Sequence, residues 1–133
     1  MLPKQGKIAA LDLGTRRTGF AITDENQRVA FARPEIDHAN NNELLKELKD
    51  LFNSEKVLGI VVGVPLKLDG TSTAQTEKVE ALVEKLDALN LPIQKMDERL
   101  TTEFAKDLHG FQSKEKHVDS RSAQILLENY LNQ

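Results

Sequence analysis

Cysteine and tryptophan are both absent from this chain of 133 residues. Without Cys there is no disulfide, no thiolate metal centre and no thiol nucleophile, which fits a reducing compartment. Aromatic residues are scarce, five Phe and one Tyr, too few to build base-stacking platforms. No apolar run approaches the ~20 residues that a membrane helix needs. The opening residues Met-Leu-Pro-Lys-Gln-Gly-Lys lack the apolar stretch of a signal peptide. A positive excess is missing too: 18 Lys and Arg stand against 21 Asp and Glu, a formal charge of −3. A protein that coats nucleic acid by bulk charge would be basic, so any such role here must be local. Residues 1–20 permit one, with Lys4, Lys7, Arg16 and Arg17 against Asp12 alone.

What is present is ordinary globular composition, 39% hydrophobic and 29% charged. The expectation is a single cytoplasmic domain over residues 1–133, with no membrane partner. Three short extended runs come first: Lys7–Leu13, Gly19–Thr23 and Val29–Arg33, the last stopped by Pro34. Gly- and Asx-rich turns between them predict an antiparallel meander. Asn40–Asn42 offer caps for a helix whose Leu44, Leu45, Leu48, Leu51 and Phe52 form one apolar stripe. The β-branched run Gly59–Val64 reads as a strand buried on both faces.

A second helix, capped by Thr71, Ser72 or Thr73, carries Val79, Leu82, Val83, Leu86 and Leu89 and stops at Asn90-Leu91-Pro92. A strand over Ile93–Met96 follows, then a short helix capped by Thr101 or Thr102 through Leu108, a polar connection His109–His117, and a final helix from about Val118 to Leu131. The order β-β-β-α-β-α-β-α-α predicts an α/β fold. Its five-stranded mixed sheet has three antiparallel strands and then two parallel ones, with helices on both faces and the first strand central. Ligands of such sheets sit beyond the carboxyl ends of the parallel strands.

Asp12 closes the first strand, and Asp97 and Glu98 close the last, so both ends should face that crevice. Ala123, Leu126, Leu127 and Tyr130 continue a helical stripe from Asp119, which turns this acid toward the sheet. Crowded carboxylates repel unless a cation neutralises them, and all-oxygen sites suit Mg²⁺ or Mn²⁺. Paired ions of that kind hydrolyse phosphodiesters. Each acid also has a structural alternative. Asp12 could serve the Gly14-Thr15 turn, Asp97 or Glu98 could be a solvated loop charge, and Asp119 could favour a helix N-terminus. Asp12-Leu13-Gly14-Thr15 also suits a phosphate-binding hairpin. Arg16, Arg17 and Lys67 flank the crevice in this topology. His38, His109 and His117 lack metal-ligand spacing and are expected as exposed loop residues.

Four segments, Leu11–Gly19 (LDLGTRRTG), Gly63–Thr71 (GVPLKLDGT), Asp97–Thr102 (DERLTT) and Val118–Leu131 (VDSRSAQILLENYL), together resemble the YqgF (RuvX) family. These are ribonuclease-H-like proteins described as Holliday junction resolvases and as pre-16S ribosomal RNA nucleases. The resemblance spans nearly the whole chain. It implies a ribonuclease-H-like sheet and a divalent-metal triad at Asp12, Glu98 and Asp119, and it chooses Glu98 over Asp97. It implies further that Arg99 and Thr101 or Thr102 shape the site and that Lys67 lies near the substrate. The short connection His109–His117 departs from the family's longer Gly- and Lys-rich loop, leaving Lys114 and Lys116 to grip substrate.

The function expected is metal-dependent endonucleolytic processing of the 5′ end of precursor 16S ribosomal RNA, on the RNA or on ribosomal precursor particles, by a monomer or weak homodimer. One alternative keeps the site and takes four-way DNA junctions. Another is a non-catalytic RNA-binding factor. A sugar-kinase or actin-type ATPase, suggested by the DLGT motif, needs two such lobes and is set aside.

Overall fold

Alternation along Lys7–Asp12 divides the first strand between two hydrophobic cores, and the rest of the chain is built around that division. In a computed structural model, residues 2–64, 74–97 and 119–133 are described, the side chains of Gln75 and Asp119 excepted. The strands are β1 (Lys7–Asp12), β2 (Arg17–Thr23), β3 (Ala30–Asp37), β4 (Val57–Val64) and β5 (Ile93–Asp97). The helices are α1 (Asn41–Glu55), α2 (Ala74–Leu86, continued by a 3₁₀ turn Asp87–Leu89) and α3 (Asp119–Leu131).

The sheet order is β3-β2-β1-β4-β5. β1 pairs antiparallel with β2 and parallel with β4, β2 pairs antiparallel with β3, and β4 parallel with β5. This is the mixed sheet expected, with β1 at its centre. Ala9 and Leu11 join Phe20, Ile22, Ile60 and Val62 beneath α1 and α2. Ile8 and Ala10 join Ala21, Val61, Ala123, Leu126 and Leu127 beneath α3. Helices therefore cover both faces, and the central strands are apolar on both.

Local signals set the ends of α1. The Asn40 side chain accepts a hydrogen bond from the Glu43 amide at 2.9 Å, satisfying one of the free donors of the first turn. Lys56 closes the helix in the left-handed region and its N–H donates to the Phe52 carbonyl. Leu44, Leu48 and Phe52 are the buried residues of the stripe.

The structure corrects two expectations. β3 does not stop before Pro34 but runs through it to Asp37. β3 is an edge strand, where a residue without an N–H can leave that side of the chain unpaired. The ladder opposite shifts register between Thr18 and Phe20. His38 is also not exposed. It is 4% accessible and its Nε2 lies 2.9 Å from the Thr18 hydroxyl. A pattern of polar neighbours hid a ring that the end of β3 turns inward. The expected caps at Thr71–Thr73, the short helix through Leu108 and the connection containing His109 and His117 lie outside the described residues.

Candidate active site

The carboxyl ends of β1, β4 and β5 lie at one edge of the sheet because these strands run parallel. Asp12, the last residue of β1, alternates with Leu11 and so shares the face of Ile8 and Ala10, the face that α3 covers. It is half-buried. Among the described residues no Lys, Arg or His pairs with it.

α3 packs over β2, β3 and β1, and its first turn is anchored near the end of β1. The Ser120 hydroxyl, 2% exposed, accepts a hydrogen bond from the Phe20 amide at 3.4 Å. Phe20 is the cross-strand partner of Leu11, and Gly19 that of Asp12. Asp119, which opens α3, is thereby brought by its backbone to the Asp12 end of the sheet. Residue patterning had not singled out Ser120. Its only sequence signal is a small hydroxyl in the first turn of an otherwise apolar-faced helix.

Asp97 is placed differently. It pairs in register with Val64, whose side chain belongs to the core under α1 and α2. Paired residues of neighbouring strands point to the same face, so Asp97 faces away from the Asp12 side. Met96, by contrast, packs on the α3 side. Glu98, Lys67, Arg99, Thr101, Thr102, Lys114 and Lys116 lie outside the described residues. Among those described, no cluster of His, Asp and Glu could hold an ion with three side chains. Asp12 itself fits a divalent cation: it is an oxygen donor, partly withdrawn from water, with no described positive partner. The buried imidazole of His38 lies on the opposite face, following Thr18 and Ile36 in the core under α1, and does not compete as a ligand.

The turn between β1 and β2 is tightly folded. A Cβ at Gly14 would run into the carbonyl oxygen of Arg17, so only glycine fits this close approach. Beyond it, Arg16 and Arg17 are exposed. The ion pair of Arg17 with Asp37 is long, 3.8 Å, with both side chains mostly in water, and such a pair contributes at most ~1 kcal/mol. Two exposed guanidinium groups therefore stand beside the Asp12 edge, that of Arg17 in its solvent-exposed pair with Asp37.

A family model described as RuvX, Holliday junction resolvase, matches residues 6–133. A protein of Maridesulfovibrio salexigens is 36% identical over 131 residues, covering 94% of this chain and 97% of its own, and is named "Putative pre-16S rRNA nuclease". One of Salinibacter ruber with the same name is 35% identical over 140 residues, covering 98% and 96%. Among solved structures, Thermus thermophilus RuvC in complex with Holliday junction substrate superposes with a TM-score of 0.62 at 11% identity, over 95% of this chain and 94% of that one. Fowlpox virus Holliday junction resolvase does so with a TM-score of 0.55 at 9% identity, over 95% and 97%. At these identities the likeness is one of fold, the ribonuclease-H-like arrangement.

Proposed function

The chain belongs to the RuvX family, and from that premise we propose that it is an endonuclease that processes the 5′ end of precursor 16S ribosomal RNA. In this reading Asp12, Glu98 and Asp119 are its metal-holding acids. The observation that carries the proposal is Asp12: a half-buried carboxylate with no described cationic partner, under the first turn of the helix that Asp119 opens. The opposite facing of Asp97 supports Glu98 as the second acid. Mg²⁺ or Mn²⁺, when bound, would supply Lewis acidity toward a phosphodiester and neutralise the crowded acids.

The chain's own residues bind and orient. Gly14 keeps the turn tight enough for backbone to approach a phosphate. Arg16 and Arg17 take phosphate oxygens flanking the cut, and the family resemblance adds Lys67, Arg99, Lys114 and Lys116 beside them. The half-buried Asp12 excludes part of the water that would otherwise screen its charge. The proposed setting is the cytoplasm, with ribosomal precursor particles as partners.

Asp12→Asn, Glu98→Gln and Asp119→Asn should each lower metal-dependent cleavage of precursor 16S RNA by at least ~100-fold, with circular dichroism unchanged. Unimpaired cleavage by all three would remove these acids from the mechanism. The family model's description favours a second reading, resolution of four-way DNA junctions. Cutting paired strands symmetrically calls for a dimer. Precursor RNA and junction DNA assayed side by side, with the sedimentation of the active species, separate the two. Faster turnover of junctions by a dimer would transfer the proposal to DNA.

A further inference from the structure

His38 ends the β3 side of the sheet in an unusual way. Its backbone N–H donates to the carbonyl of Arg16 at 2.9 Å. Its Nε2 lies 2.9 Å from the Thr18 hydroxyl in a buried contact. Both bonds fall where the ladder is weakest. The register shift between Thr18 and Phe20 separates the terminal pairs Arg17↔Asp37 and Thr18↔Ile36 from the rest of β2 and β3. Beyond the shift, His38 extends the pairing around the turn that joins Asp12 to Arg16 and Arg17.

The other ring nitrogen points to the purpose. Nδ1 of His38 is buried and has no hydrogen-bond partner among the described residues. A buried polar atom left unsatisfied is destabilising, and an apolar side chain of similar volume avoids that penalty. For packing alone, Leu at 38 and Val at 18 would serve better. What the pair supplies that they would not is a directional tie on the backbone that carries the arginines.

We infer that the His38 side chain, acting through the Thr18 hydroxyl beside the main-chain bond from its N–H to Arg16, is a positioning residue for the phosphate-binding turn of the candidate active site. It lies on the face of the sheet opposite Asp12. It holds the start of β2, so that Arg16 and Arg17 project from a fixed backbone relative to Asp12. The inference rests on the nuclease reading, since only a substrate gives the arginines something to be positioned for. Its energetic signature is a conflict between stability and binding: removing both members of the pair leaves the fold no weaker and the turn looser.

The test uses four variants of the full chain. The double variant Thr18→Val/His38→Leu is expected to melt at or above the wild-type temperature. Its KM for precursor RNA should rise about tenfold while kcat stays within about twofold. His38→Gln, whose terminal amide reaches the Nε2 position, should restore KM. His38→Asn reaches only the Nδ1 position, which has no described partner, and should not. Arg16→Ala/Arg17→Ala made on the double-variant background should add little further to KM. Amide exchange provides a readout independent of cleavage: the His38 N–H should exchange about tenfold faster in the double variant than in wild type. Unchanged exchange and KM in that variant, or equal rescue by Gln and Asn, would overturn the inference. A wild-type chain that cuts neither RNA nor junction DNA would instead sink the nuclease reading, and would leave faster exchange as evidence of a tie without that use.

Discussion

Gly14 and Asp12 meet opposite demands within one turn. The aspartate is partly withdrawn from water at the end of β1, and the glycine must let the chain fold back on the Arg17 carbonyl. Gly14→Ala should cost about 1–3 kcal/mol, because the blocking atom is backbone and cannot swing aside. A denaturant midpoint checks this, and cleavage should fall with it because the turn must open. Asp97 supplies the contrasting case. It looks as good a ligand as Glu98 in the string of letters, but in-register pairing with Val64 turns it to the other face. Asp97→Asn should therefore leave metal-dependent cleavage within about threefold of wild type, whereas Glu98→Gln should lower it at least ~100-fold.

Between elements, one ion-pair network joins three of them. Glu55, the last residue of α1, meets Arg33 of β3 at 3.3 Å and Lys7 of β1 at 3.5 Å. The hydrogen bond from Arg33 and the attraction of Arg33 and Lys7 hold the Glu55 carboxyl below its usual range, against a smaller opposing effect of burial. A folded-state pKa below the unfolded one makes this stabilisation complete above the ordinary Glu range. It is lost as the pH falls through the folded value. Glu55→Gln should then destabilise by about 1 kcal/mol at neutral pH, and the difference from wild type should vanish in strong acid. Chemical denaturation at the two pH values checks this. Arg33 also lies 5.8 Å over the Phe20 ring, which fixes its position further. At the other end of α1, Asn40→Ala should cost about 1 kcal/mol through the lost cap on the Glu43 amide.

For the whole molecule, a net charge of −3 makes nucleic-acid binding depend on a few local cations. The salt dependence of binding should be shallow for a nuclease. Replacing Arg16 and Arg17 together by Ala should reduce the log–log slope by about 1.4, at ~0.7 per phosphate contact on single strands. Titration of RNA binding at several salt concentrations measures this directly, and an unchanged slope would take both arginines out of the interface.

Hydrophobic periodicity and strand order were legible in the letters. β-Branched runs, Asx caps and Leu stripes are local, and short connections leave few topologies that bury both faces of β1. The central position of β1, the shared edge of three carboxyl ends and the core-facing stripe of α3 follow from that, and the structure has all of them. The edge position of β3 decided that Pro34 could be passed, because tolerance of a missing N–H depends on whether a neighbour strand is there to need it. Face and partnership were likewise tertiary matters. Asp97 and His38 carry no mark in the chain of where they point: a strand's alternation becomes a direction only once its register against β4 or β2 is set. Residue type determined which chemistry was possible here, and the pairing of distant strands decided which of those residues could share it.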